Sequence, residues 1–201
     1  MTLMDRDTEL SIVEGLRTGD PGAFDAVYEA YRARVFGFLV RLSRSRTVAE
    51  DLLDETWLRL VSHARSLRAD TCLLPWLFTV ARNLYWTYRR SCLPEEAWDP
   101  AALALWPSPE ASSSPFEAAA RDELERRLER ALARLSPQHR EVLLLVGLEG
   151  LAPIEAAGVC GVTPEALRQR LARARAALAQ ELGLPRTGAQ KGSDPDDVES
   201  R

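Results

Sequence analysis

The chain has 201 residues, 46% of them hydrophobic and 28% charged, with a formal net charge of −4. That composition supplies a packed core and excludes wholesale disorder. The longest clean apolar stretch, about Val142 to Leu148, falls far short of the ~20 residues needed to span a bilayer, so no membrane insertion is expected. The opening run Met1 to Asp7 has no apolar h-region, which predicts a cytoplasmic protein. Cys72, Cys92 and Cys160 lie far apart, with no C-x-x-C pair and no nearby histidine, and read as reduced, mostly buried thiols rather than a zinc set.

A net acidic chain is a poor nucleic-acid binder on average, but local fields decide which partner binds. Residues 1–93 are balanced, with 13 basic and 12 acidic side chains. Residues 94–120 hold five acids (Glu95, Glu96, Asp99, Glu110 and Glu117) and no base. Within residues 163–175 four arginines face a single glutamate.

In chain order, Gly19-Asp20-Pro21 punctuates the start of a long helix. Its apolar residues Phe24, Val27, Tyr28, Tyr31, Val35, Phe38, Leu39 and Leu42 recur at helical spacing. A second helix from about Val48 turns Leu52, Leu53, Trp57, Leu60 and Val61 inward and leaves Glu50, Asp51, Asp54 and Glu55 as an acidic outer ridge. After a loop from about Arg65 to Leu74, a third helix starts at Pro75, a residue suited to the first helical position. It runs through a stripe of Leu77, Val80, Ala81, Leu84 and Tyr88. Arg82, Asn83, Tyr85, Trp86, Arg89 and Arg90 interleave rings with cations on it, a chemistry suited to unpaired bases. Trp86, off the stripe, is the best stacking candidate; the bland alternative is that these aromatics are core.

Five prolines and a serine run between Pro94 and Phe116 predict a linker with no continuous helix or strand. Beyond it, Leu124, Leu128, Leu132 and Leu135 mark a helix, and Ser136-Pro137 begins another that ends near Gly147 to Gly150. A short helix from Pro153, a turn at Cys160-Gly161-Val162 and a last helix capped by Thr163-Pro164-Glu165 make a helix-turn-helix candidate. The tail from Gly183 lacks apolar anchors and should be disordered. The fold class is all-α: two small helical domains joined by a flexible linker. The boundaries are 1–93, an acidic Pro/Ser-rich linker at 94–120, a helix-turn-helix domain at 121–183, and a tail at 184–201.

On the last helix, with about 100° per residue, Leu167, Leu171, Ala174 and Leu178 form one spine. Glu165, Gln169, Ala172, Arg173 and Ala176 then face outward, with Arg168 and Arg175 along one edge and Arg170 along the other. Small alanines permit close approach to a major groove, Gln169 and Arg173 can bond base edges, and the other arginines can meet phosphates. The same arginines also suit a solvated surface helix paired with Glu165 or Glu181. Single histidines, no nucleophile motif and no glycine-rich phosphate loop give no pointer to an active site, a metal or a cofactor.

Four segments together with the last helix resemble the extracytoplasmic-function group of bacterial RNA polymerase sigma factors, in the sigma-70 family. The segments are Gly19 to Phe24 with Tyr28 and Tyr31; Ala49-Glu50-Asp51-Leu52-Leu53-Asp54-Glu55-Thr56-Trp57-Leu58; Pro75-Trp76-Leu77-Phe78-Thr79-Val80-Ala81-Arg82-Asn83; and Leu135 to Leu143. The resemblance implies that the first domain binds the clamp of core RNA polymerase through Asp51, Asp54 and Glu55. It also implies that Arg82 to Arg90 help to open the minus-ten promoter element, while the Arg65 to Leu74 loop holds a flipped base. The second domain would read the minus-thirty-five element of promoter DNA through Thr163, Glu165, Arg168, Gln169, Arg170, Ala172, Arg173 and Arg175. An anti-sigma factor is the implied controlling partner, and the acidic linker would thread the polymerase RNA path. Two departures stand out. Ala152 replaces a Ser or Thr cap, and Gly158 interrupts an aliphatic run, so fraying of the first helix of the motif is expected. A polymerase-independent helix-turn-helix regulator is the alternative, followed by an all-protein adaptor and, last, an enzyme.

Overall fold

The computed structural model describes residues 5–91 and 115–184, with side chains within 5–91 and 123–184. Among these, every regular element is helical. Helix α1 (Arg6–Thr18) was not legible as an element, although its signals are present. Asp5 caps it by accepting from the Thr8 N–H at 3.0 Å, and Gly19 ends it at φ 82°, a left-handed conformation that favours glycine. Gly15 allows α1 to lie close to its neighbour: a Cβ there would stand 2.7 Å from the Ala23 Cβ.

Helix α2 (Pro21–Ser43) is the single long helix expected, capped by Asp20 and led by Pro21. Its buried row of Val27, Tyr31, Val35, Phe38, Leu39 and Leu42 is the axis of the N-terminal group. Helix α3 (Arg46–His63) is capped by Ser45 and passes into a short 3₁₀ turn at Ala64–Ser66. Trp57 packs its ring against Phe24 and Tyr28, with centroids 6.2 and 5.1 Å away. Val61, expected inside, is 59% exposed, because Leu60 and Ala64 occupy the inward row and Val61 lies about 100° from Leu60.

Helix α4 (Leu73–Ser91) begins two residues before Pro75, which therefore sits in the first turn, where no N–H is needed. Its stripe is shifted from the expected one. Leu77, Phe78, Ala81 and Tyr85 are buried, whereas Val80, Leu84 and Tyr88 are only partly so. The helix packs on α2 and α3 on one side and on a C-terminal helix on the other, so the buried arc is wider than one stripe. Phe78 meets Phe38 edge-on at 5.1 Å in the centre of that core.

The C-terminal group comprises α5 (Pro115–Arg134), α6 (Pro137–Leu143) widening into a π turn at Leu144–Leu148, α7 (Pro153–Cys160) and α8 (Pro164–Glu181). Helix α5 starts inside the stretch expected to be linker, with proline at its first position. The rest of that stretch, residues 92–114, lies outside the described residues, as do Cys92 and the tail 185–201. Ser136 caps α6 and Thr163 caps α8, as anticipated. The expected fraying of α7 is not seen. Ala152 offers no side-chain cap, but Glu155 reaches back to accept the Ala152 N–H at 2.8 Å, and Ala156, Ala157, Val159 and Cys160 are buried.

The two helical groups are packed together, α4 on α7 and α2 on α5 and α6. Arg140, 2% exposed, donates to the Leu132, Ala133 and Leu135 carbonyls of its own group and to those of Arg41 and Leu42 at the end of α2. Burial, followed by repulsion from Arg44, lowers its pKa to about 10, so the guanidinium stays charged at neutral pH.

Candidate nucleic-acid interface

Helix α8 presents the face that its periodicity predicts. Leu167, Leu171 and Ala174 are buried against the rest of the C-terminal group, and Leu178 is partly buried. Thr163, Glu165, Arg168, Gln169, Ala172, Arg173 and Arg175 are all exposed. Some of the bland reading is realised as well. Arg168 pairs with Glu165 at 3.3 Å, Gln169 donates to Glu165 at 3.4 Å, and the Arg173 Nε donates to the Gln169 carbonyl at 3.3 Å. These are exposed one-turn contacts worth a few tenths of a kcal/mol each, so a phosphate or a base edge displaces them readily. Arg170 differs: it is half-buried and turns toward Glu141 of α6, 4.0 Å away.

Helix α4 is less available. Tyr85, offered by the sequence as a base-contacting ring, is 4% exposed and belongs to the core, where its hydroxyl accepts from Arg89 at 3.1 Å. Asn83, Arg89 and Arg90 are exposed. Arg82 and Trp86 are half-buried, and both end on one atom. The Arg82 Nε and the Trp86 Nε1 donate to Oε1 of Glu141 on α6, at 2.8 and 2.7 Å. Two guanidiniums stand over the Trp86 ring, Arg89 at 5.9 Å and Arg82 at 6.0 Å from its centroid. Glu141 itself is 0% exposed, and its Oε2 lies 4.0 Å from the Arg170 guanidinium. Between the groups lies a cleft of about 320 Å³ lined by Arg82, Trp86, Arg90, Glu141, Cys160 and Arg170. Burial, then the Glu141 charge, pushes the Cys160 thiol up to about 12, so it is neutral and inert there. Cys72, by contrast, is exposed, against the expectation of a buried thiol.

On α3, Asp51 and Asp54 face solvent, and among the described residues no cation is paired with either. Glu55 is paired with Arg59 at 2.7 Å. Leu58, 63% exposed, and Val61 continue this surface as an apolar strip that the sequence reading missed. The outward spacing 51, 54, 55, 58 carried the signal, since an exposed leucine one turn beyond an acidic ridge has no core to serve.

The loop before α4 is pinned by α1. Arg6 donates to the Asp70 carbonyl at 2.8 Å, and Glu9 accepts the Leu73 N–H at 2.8 Å, acting as a remote cap for α4. Arg68 holds Asp70 through two bonds, which depresses the Asp70 carboxyl below its ordinary range. Arg6 and Glu9 were missed because their role depends on a chain reversal that local spacing does not reveal. No described helix is long and apolar enough to cross a membrane, and no described cluster of three or more His, Cys, Asp or Glu side chains is placed to hold a metal ion.

Two sequence profiles match these two groups of helices in order: "Sigma-70 region 2" over residues 27–91 and "Sigma-70, region 4" over residues 125–178. The RNA polymerase sigma factor CarQ of Myxococcus xanthus is 33% identical over 174 residues, spanning 85% of this chain and 95% of CarQ. The ECF RNA polymerase sigma factor SigL of Mycobacterium tuberculosis is 31% identical over 184 residues, 87% of this chain and 98% of SigL. Of solved structures, CnrH in complex with the cytosolic domain of CnrY superposes with a TM-score of 0.65 at 22% identity, covering 89% of this chain and 98% of that one. The sigma factor RpoE bound to the anti-sigma factor NepR from Bartonella quintana gives 0.57 at 23% identity, covering 90% and 100%. These two show a shared fold. The chain belongs to the sigma-70 family of RNA polymerase sigma factors, in its extracytoplasmic-function group.

Proposed function

We propose that the labour of promoter-specific initiation is divided between the two helical groups. The exposed ridge of Asp51, Asp54 and Glu55, extended by Leu58 and Val61, docks on a basic helix of the polymerase clamp. Asn83, Arg89 and Arg90, with Arg82 and Trp86 once released from Glu141, engage the minus-ten strand as it melts. Gln169 and Arg173 meet base edges of the minus-thirty-five duplex over the small Ala172, while Arg168, Arg170 and Arg175 meet phosphates. The observation that carries this reading is the outward face of α8, where a buried Leu167-Leu171-Ala174 row leaves Gln169, Ala172 and Arg173 pointing into solvent.

On this reading residues 1–93 and 121–183 are the two working domains, joined by 94–120. The protein acts in the cytoplasm and is held inactive by a separate anti-sigma factor. Purified protein mixed with core RNA polymerase on a supercoiled template should give transcripts from a defined start that depend on both promoter elements. Duplex binding without any such transcript would favour a polymerase-independent regulator.

A further inference from the structure

Among the described residues, three ion pairs cross between the helical groups with the same polarity. Arg34 pairs with Glu149 at 3.0 Å, Arg41 with Glu129 at 2.6 Å and Arg82 with Glu141 at 2.8 Å. Each arginine comes from the N-terminal group and each glutamate from the C-terminal group. The side chains involved are between 0% and 19% exposed, so solvent screens them far less than surface pairs. The third pair is built differently from the others. One carboxylate, that of Glu141, gathers Arg82, the Trp86 indole N–H and, at longer range, Arg170. Those are the cation and ring assigned to the melted strand and a cation assigned to duplex phosphate. A carboxylate presents oxygen acceptors to guanidinium and N–H donors in the way that a phosphate does.

We propose that Glu141 is an internal stand-in for the nucleic-acid backbone, and that the docked arrangement is a self-masked form in which the C-terminal group occupies the strand-contacting side chains of α4. The inference rests on the proposed roles of Arg82 and Trp86. Its physical content is competition. Arg82 cannot satisfy Glu141 and a promoter phosphate together, and Trp86 cannot offer its face to a base while its N–H is held in the cleft. Opening frees both, and it leaves Glu141 facing water, where its charge is solvated. Glu141 is suited to the task because its Oε1 takes both the Arg82 guanidinium and the Trp86 indole N–H, so the carboxylate is held by the groups it masks.

The test uses the full chain without polymerase. Glu141→Gln removes the charge and keeps the shape. It should raise the affinity of the free protein for a single-stranded minus-ten oligonucleotide by about tenfold and increase its radius of gyration in small-angle scattering. Glu129→Gln, at the Arg41 pair remote from α4, should act in the same direction by a few-fold and serves if the first variant folds poorly by circular dichroism. Unchanged affinity and unchanged dimensions in folded variants would overturn the proposal. Transcription with core polymerase separates the two readings. If the wild-type chain initiates while the variants bind the oligonucleotide as it does, the mask fails alone; if the wild-type chain does not initiate at all, the underlying assignment fails.

Discussion

Helices α4 and α8 are nearly equal in length, nineteen and eighteen residues, and each is rich in arginine. In α8 Arg168, Arg173 and Arg175 stand on an exposed face, Arg168 and Arg173 in contact with one-turn neighbours, and only Arg170 turns toward Glu141. In α4 the inner cation and the indole are held across the interface by a fully buried glutamate, while Asn83, Thr87 and the arginines at the far end remain open. Similar composition therefore yields two kinds of surface, one ready for ligand and one already occupied. The difference lies in what packs alongside. Helix α8 ends its group and has a free side, whereas α4 is wedged between α2 and α3 on one side and α7 on the other.

The contrast can be broken most strongly from the N-terminal side. Asp51→Arg with Glu55→Arg places like charge against the clamp, a juxtaposition costing several kcal/mol. We expect a loss of polymerase affinity of ~100-fold or more in fluorescence anisotropy, while duplex binding through α8 and the helical circular-dichroism signal stay unchanged. Loss of both binding activities would show that the groups do not work separately. Next in size is Arg140→Ala, which strips a buried donor from five carbonyls, two of them on α2. Unsatisfied buried acceptors cost ~1–3 kcal/mol each before water enters. Urea denaturation should show a loss of about 3 kcal/mol, and a loss below ~0.5 kcal/mol would mean that the interface is already wet.

A smaller effect sharpens the α8 half. Arg173→Ala should weaken promoter binding by ~1–3 kcal/mol and relax the preference at one base position in a competition assay. Weakening that is uniform across sequences would make Arg173 a phosphate contact. Smallest of all, Ala152→Ser adds the missing cap to α7 and should raise the unfolding free energy by ~0.5–1 kcal/mol. No gain would mean that Glu155 already supplies all the capping the helix can use.

What could be read from the sequence follows from range. Caps at Ser136 and Thr163, the start of the long α2 at Gly19-Asp20-Pro21 and the outward face of α8 are set within a few residues, and local spacing showed them. Tyr85 and Leu84 could not be ordered correctly, because a helix contacted on two sides has no single apolar stripe, and a one-residue error rotates the pattern by about 100°. Val61 was misplaced for a related reason, since the end of α3 leaves nothing to cover it. The pairing of Arg34, Arg41 and Arg82 with three glutamates some 60 to 115 residues away left no local trace. Arg82 reads from the sequence as a strand-contacting cation, and the other five charges carry no local signal.

The central claim is that α4 exchanges an internal acid for a melted strand, and Thr87, an exposed residue on the rim of the cleft, is the place to read that exchange. A photo-crosslinking amino acid placed there in the full chain should join to the C-terminal helices in the free protein and to the minus-ten region of the non-template strand in an open complex with polymerase. Crosslinks to DNA in neither state, or to the C-terminal helices in both, would contradict it.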